Sequence, residues 1–316
     1  MGLRSAATWP IVIKDVNLVR PAGMLSAVAF AGSLLMFLGC NKPGTSPDPG
    51  TPAQASPALG PVELEAGTPV RLRLLSTLEA GRAQEGSPVV FMVAEDVKGP
   101  DGRVAVRQGS LANGEVVWSR SEGTLSGLLG EPARLHVRLG KVLAVDGSEL
   151  ALAADRENAE APYEFTRANT RPPSQPPHLQ SALRDEQVRD LAERLAMAYS
   201  GEHDPDLLRD EASRQALDRL AEQLSLEETR RLLRAGVDPA NRIGSALDLL
   251  RRGDIRALAT GDAALGLAAV GELANVAGQV GSRLGRMLRG RTIRAFAGTE
   301  VQAFLAEDAA VRANSR

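Results

Sequence analysis

The chain has 316 residues, enough for one large domain or two ordinary ones, and 43% of them are hydrophobic, which excludes wholesale disorder. Aromatics reach only 3%, so any core must rest on Leu, Val and Ala, and a formal charge of −2 argues against a protein dedicated to nucleic acid. One cysteine allows neither an internal disulfide nor a Cys/His grid for structural zinc.

The first twenty residues carry Arg4, Lys14 and Arg20 against Asp15, and residues 21 to 39, "PAGMLSAVAFAGSLLMFLG", carry no charge. A basic leader followed by an apolar run is the layout of a secretory signal. The run ends at Cys40, the sole cysteine, and small polar residues follow at once. Two plainer readings exist: an uncleaved membrane helix, since the run is just long enough to span, or a chance cysteine in a cytosolic protein. Phe37-Leu38-Gly39-Cys40, however, resembles the lipobox of bacterial lipoproteins. Gly39 matches the small residue before the cysteine, while Phe37 and Leu38 depart from the usual pattern. The resemblance implies cleavage before Cys40, acylation of its thiol and amino group, and a membrane partner reached through those acyl chains. Asn41 in place of Asp leans towards the periplasmic face of the outer membrane. Residues 1–39 are thus expected to be a lipoprotein signal peptide. Residues 40–61, with Pro43, Pro47, Pro49, Pro52, Pro57 and Pro61, are expected to be a tether.

From Val62 the hydrophobic period becomes two. In "TPVRLRLLSTL", Val70, Leu72 and Leu74 alternate with Arg71 and Arg73, the pattern of a strand buried on one face. "PVVFMVAEDV", "GRVAV", "GEVVWSR" and "ARLHVRLGKVLAV" continue it, and Asp101-Gly102 and Asp146-Gly147 mark hairpins. Residues 62–155 are therefore expected to form an antiparallel barrel or sandwich. His136 is read as an outward strand residue and Trp118 as core or rim packing. A Pro-rich linker is expected at 156–180.

Beyond it the period shifts to 3.6. Val188, Leu191, Leu195 and Tyr199 share one helical face. Asp204-Pro205, a capping box from Ser225 to Glu228, and Asp238-Pro239 mark helix starts, and Gly236 and Gly253 mark stops. These signals define a helical insert over 181–260. The acids Glu202, Asp204, Asp206 and Asp210 are read as helix-start carboxylates rather than a metal site. Residues 261–290 form a Gly/Ala-rich helix whose Gly281-x-x-x-Gly285 permits close contact. Glu272, Asn275 and Gln279 speak for packing on the sheet rather than a membrane span. Arg283, Arg286, Arg289, Arg291 and Arg294 are read as a solvated helix end, with lipid phosphate the alternative ligand.

Residues 291–316 return to period two. Ala297-Gly298-Thr299 echoes Ala66-Gly67-Thr68, and Gln108-Gly109-Ser110 is a looser copy. The expected fold is α+β: a small antiparallel barrel or sandwich, interrupted by helices and closed by a C-terminal strand.

The segments "LEAGTPVRLRLLSTL", "VAEDV", "GRVAVRQGSLANGEV", "RLGKVLAVDGSELAL" and "TIRAFAGTEVQAFLAED" resemble, in this order, the C-terminal β-barrel of TrbI-like proteins, scaffolds of the type IV secretion and conjugation outer-membrane core. The resemblance covers roughly 62–153 and 291–313 and implies a barrel interrupted late by helices. It departs from the family in two ways: the chain looks lipidated rather than anchored by an uncleaved helix, and its insert is charged and amphipathic.

No H-E-x-x-H, G-x-S-x-G, Walker A or G-x-G-x-x-G motif occurs, and the sequence implies neither a catalytic residue nor a cofactor or metal. The expected function is that of a non-enzymatic, lipid-anchored scaffold of the cell envelope, binding an unidentified envelope protein through the helical insert. A component of a type IV secretion or conjugation-like assembly, and an envelope glycan hydrolase using paired carboxylates, are the alternatives.

Overall fold

Alternating Val and Leu with charged residues, punctuated by Gly turns, folds here into a closed barrel. The computed structural model describes residues 60–121, 133–166, 168–170, 176–202, 204, 206–287 and 292–312. The signal segment, Cys40 and the tether up to residue 59 lie outside the described residues. Strands β1 (Val62–Leu64), β2 (Pro69–Leu74), β3 (Leu78–Glu79), β4 (Pro88–Val93), β5 (Val97–Lys98), β6 (Val104–Val106), β7 (Leu111–Arg120), β8 (Arg134–Leu143), β9 (Glu149–Ala153) and β10 (Tyr163–Phe165) come first. Helices α1 (Leu179–Ala182), α2 (Glu186–Tyr199), α3 (Glu211–Gln223), α4 (Glu227–Arg234), α5 (Pro239–Arg252), α6 (Ile255–Ala259) and α7 (Gly261–Met287) follow. The chain returns to strands in β11 (Arg294–Ala295), β12 (Glu300–Leu305) and β13 (Ala309–Val311).

Strands β8, β7, β4, β2, β12 and β9 pair in turn, all antiparallel, and β9 returns to β8. Closure removes the free edges that an open sheet would present. The C-terminal strand β12 completes the ring between β2 and β9, so the helices are an insertion in a β-domain, as the two-residue period on both sides of them implies. The inward residues Val70, Leu72, Leu74, Phe91, Val137, Val142, Val301 and Ala303 are fully or almost fully buried and fill the lumen with apolar side chains.

The echoed tripeptides share one geometry. Gly67 donates its N–H to the Leu305 carbonyl while Leu305 donates to Thr68. Gly298 donates to Leu74 while Leu74 donates to Thr299, and Gly109 donates to Val93 while Val93 donates to Ser110. Each is a bulge in which two residues oppose one, with the glycine at φ 79, 85 and 85 respectively. Only glycine adopts that backbone without strain. The first two copies hold opposite ends of the same β2–β12 pair, so this pair has a local twofold character that the sequence repeat records.

The stretch from 156 to 180, expected as a linker, contains β10, which extends the sheet along β8, with Phe165 fully buried. Two aromatic residues spaced by Glu164 outweigh the proline content that surrounds them, and Tyr163 and Phe165 meet edge to face at 5.0 Å.

Where the described chain begins, it is clasped. Arg103 donates Nη1–H to the Gly60 carbonyl (2.5 Å) and Nη2–H to that of Pro61 (3.0 Å), while its Nε–H reaches Asp101 (2.6 Å). Backbone and side-chain hydrogen bonds from Arg103 hold the Asp101 carboxyl below the usual aspartate range. β1 then pairs with β13. Arg103→Ala removes two hydrogen bonds to the chain at Gly60 and Pro61 and is expected to speed amide exchange at Val62–Leu64 by about fivefold or more. Exchange unchanged from wild type would show that the clasp holds nothing.

Candidate functional site

The helices cover one outer face of the barrel. α5 lies on β4, α6 on β7, and α7 runs beneath α2, α4, α5 and α6 as the spine of the helical layer. Its glycines explain how it sits so low. A Cβ on Gly278 would stand 1.9 Å from the Ala297 carbonyl oxygen, and one on Gly266 would stand 2.7 Å from the Arg242 carbonyl oxygen. Gly281, expected as a close-contact position, would meet only Phe296 at 3.6 Å and Ala196 at 3.9 Å, so Gly278 makes the tighter approach. The surroundings of Gly285 lie outside what the structure describes. Tyr199 is fixed in the same seam: its buried hydroxyl donates to the Val270 carbonyl at 2.5 Å, and burial pushes its pKa well up.

The helical layer and the barrel share a core. Leu191, Leu195, Leu217 and Leu220 belong to one buried cluster with Leu75, Val90 and Leu111 on the outer barrel wall. Helix boundaries within the layer follow the expected punctuation in part. Asp238 caps α5 through the Ala240 N–H with Pro239 first in the helix, and Gly253 ends it in a left-handed turn. No helix starts directly after Asp204; turns occupy 206–209. α3 begins later, at Asp210, whose carboxylate takes the Ser213 N–H and hydroxyl, each at 2.7 Å. The box at Ser225 does not form either. Ser225 takes a positive φ of 54, and α4 starts after Leu226 with no side-chain cap of its own. Glu272 of α7 caps it from outside, accepting from Glu228 N–H (3.0 Å), Thr229 N–H (2.9 Å) and the Thr229 hydroxyl (2.9 Å). A carboxylate at a helix start satisfies N–H groups that would otherwise go unpaired.

Beside this cap opens a cleft of about 570 Å³ between the barrel wall and the helices. Arg73, Met92 and Gln108 line its barrel side; Leu226, Glu228, Leu267, Gly271, Glu272 and Asn275 line the other. Arg73 donates Nη2–H to Glu300 at 3.3 Å. The Arg73 Nε and the Asn275 Oδ1 are both buried without a hydrogen-bond partner. Glu272 and Asn275 stand out in the sequence as polar residues inside an apolar helix. That they line one cleft with Arg73 could not be read there, because it depends on how α7 crosses the barrel.

Other residues singled out from the sequence are scattered. His136 sits on the outer wall 3.7 Å from Glu164, opposite Trp118 on β7. Trp118 is 45% exposed, so it is not core. His178 precedes α1 in a left-handed conformation, and His203 lies outside the described residues. Asp204, Asp206 and Asp210 are engaged by protein groups: Arg194 donates Nε–H to Asp204 at 2.8 Å and lies 3.7 Å from Asp210, and Arg209 lies 3.6 Å from Asp206. Those bonds, that to Asp204 foremost, raise the Arg194 pKa, and the Ser213 hydroxyl and N–H lower that of Asp210. Among the described residues no group of three or more His, Cys, Asp or Glu is placed to hold a metal ion. No described helix is long and apolar enough to cross a membrane. Of the arginine cluster, Arg294 pairs with Glu79 at 2.8 Å, while the side chains of Arg286, Arg289 and Arg291 lie outside the described residues.

No protein-family model and no curated protein sequence matches the chain. Among solved structures it is similar to ComB10 of the Com type IV secretion system of Helicobacter pylori. That likeness has 12% identity and a TM-score of 0.27, over 78% of this chain and 89% of the other.

Proposed function

We propose that this protein is a lipid-anchored scaffold of the bacterial cell envelope that binds another envelope protein through its helical layer. The observation that carries the reading is the packed barrel: with its lumen filled by apolar side chains, the surface is what the domain offers to a partner. The helical layer supplies a second, charged surface. Asp218 and Glu222, for example, stand exposed on α3. The anchor rests on the sequence, where the sole thiol, Cys40, stands at the end of the apolar run. Two or three acyl chains there would hold the protein firmly, each buried methylene adding about 0.8 kcal/mol.

A place in a type IV secretion or conjugation-like assembly is the narrower reading. It is supported by the segments that resemble TrbI-like barrels, which hold all of β2, β6, β11 and β12 and parts of β7, β8 and β9.

The anchor is tested by labelling with an alkyne-bearing fatty acid. Label is expected on the wild type, with none on Cys40→Ser, which should accumulate as precursor. Equal label on both would sink the lipoprotein reading. The partner surface is tested in the same cells by photo-crosslinkers at Asp218 or Glu222 and at the exposed barrel residue Arg138. Adducts with envelope proteins are expected from the helical positions, and adducts from Arg138 alone would overturn the assignment to the helical layer.

A further inference from the structure

We propose that the outer barrel wall formed by β8, β10 and the end of β7 docks on the surface of an anionic lipid bilayer, with Trp118 at the headgroup level; this rests on the lipid-anchored reading above. Register defines the wall. Leu135 and Val137 of β8 are buried inward, so Arg134, His136 and Arg138 face out. Across the ladder Trp118 stands opposite His136, and Arg120 stands opposite Arg134. Two acids share the wall: Glu164 opposite His136, at 3.7 Å, and Glu115 opposite Arg138. Arg120, Arg134 and Arg138 are all exposed. The helices pack on β4 and on β7 but leave Trp118 45% exposed, one of two large hydrophobic residues so placed among the described ones.

A protein occupant is disfavoured: a specific interface buries roughly 1,000 Å² or more around an apolar centre, and here one indole stands among charges. A small ligand is disfavoured too, because Trp118 lines none of the larger clefts of the described residues. A bilayer surface asks for what the wall has. An indole sits well at the boundary of lipid and water, and arginine heads beside it reach phosphates while their stems lie along the apolar surface. Charge sets the orientation. The insert over 181–260 holds 16 Asp and Glu against 13 Arg, whereas arginine outnumbers glutamate on the wall. An anionic surface therefore draws the wall and repels the helical layer, which is left facing a partner. The tether permits this pose. About twenty residues separate Cys40 from Gly60, and at about 3 Å each they reach about 60 Å, more than the roughly 33 Å length of β7.

The chain has two tryptophans, Trp9 and Trp118, so Trp9→Phe leaves Trp118 as the sole emitter. The test reconstitutes that full chain in phosphatidylcholine vesicles with or without phosphatidylglycerol, the acyl chains brominated near the headgroup. In anionic vesicles Trp118 emission should move to shorter wavelength and be quenched by the bromine; in neutral ones most of the quenching should be lost. Arg134→Gln with Arg138→Gln should lower the ratio of docked to undocked protein about 25-fold, or about fivefold for each arginine. Salt at about 1 M, where the screening length is about 3 Å, should release Trp118. A tryptophan moved to the helical layer, in Trp9→Phe, Trp118→Phe, Asp218→Trp, should escape quenching. No quenching of Trp118, equal quenching in neutral and anionic vesicles, or equal quenching at position 218 would each overturn the proposal. Protein adducts from a crosslinker at 118 in place of quenching would overturn it in favour of a protein contact. Fatty-acid label on Cys40 without quenching would mean that the docking is wrong and the anchor stands. Salt-sensitive quenching without label would mean that the wall docks and the anchor reading fails.

Discussion

Gly278→Ala is expected to lower stability by about 3 kcal/mol, whereas Gly244→Ala raises it by about 0.5–1 kcal/mol. Both glycines lie inside helices, where exchange for alanine normally helps because it removes backbone freedom from the unfolded chain. The surroundings decide the sign. Around Gly244 of α5 an added Cβ meets nothing within 4 Å, so only the propensity gain remains. At Gly278 of α7 it would stand 1.9 Å from the Ala297 carbonyl oxygen, which is backbone and cannot swing aside. Ala297 belongs to the turn that launches β12, the strand that closes the barrel. Relief would therefore have to lift α7 or shift the closing strand, and either loosens the seam between helices and barrel.

Gly271→Ala supplies the intermediate case. There the added carbon meets the Met92 Sδ at 2.8 Å, the end of a flexible side chain that can rotate away. Thermal unfolding should rank the three as Gly244→Ala highest, Gly271→Ala next and Gly278→Ala lowest. The last is expected to melt roughly 6–12 °C below the wild type. If Gly278→Ala melted with Gly244→Ala, α7 would not approach the barrel so closely.

The elements that could be read from the sequence are those whose determinants are local. The alternation in "VRLRL" depends only on neighbouring residues, as do the turn at Asp146-Gly147 and the Asp238-Pro239 start of α5. The Gly-Thr echo was legible for the same reason. Each copy encodes one bulge, and the bulge fixes where a strand meets its partner. What failed was local grammar overruled from a distance. Ser225 and Glu228 have the spacing of a capping box, yet Glu272 takes the N–H groups at the start of α4 and leaves Ser225 in a left-handed turn. Asp204 has a proline after it, yet Arg194 holds it and the cap passes to Asp210. The cleft escaped for a related reason: Arg73 reads as a solvent-facing residue of a half-buried strand, and only the path of α7 covers it. Cys40, the one site residue the sequence offers, lies outside the described residues.

Replacing residues 181–253 by a short Gly-Ser linker is expected to abolish cooperative unfolding of the barrel and to drive the protein into aggregates. Satisfied starts and stops such as Asp238-Pro239 and Gly253 suggest helices that need little from the barrel, and loop closure by itself would tolerate the exchange at about 0.6 kcal/mol per doubling of length. The shared core decides otherwise. The replacement strips α5 from β4 and removes Leu191 and Leu195 from α7, leaving that helix without most of its cover. Leu75, Val90 and Leu111, each at most 1% exposed, and the half-buried Met92 would lose much of their packing. At about 1.5–3 kcal/mol for each side chain returned to water, the loss is roughly 5–10 kcal/mol. A domain of this size has only about 5–15 kcal/mol of total stability. The barrel wall would also expose a contiguous apolar face, which invites association. Calorimetry and gel filtration of the replaced protein give the answer. A soluble monomer with one sharp transition would mean that the barrel stands alone and that the helical layer is a detachable module. Loss of the transition would mean that the scaffold and its partner-binding surface fold as one unit. Single surface substitutions, not deletions, are then the way to separate binding from stability.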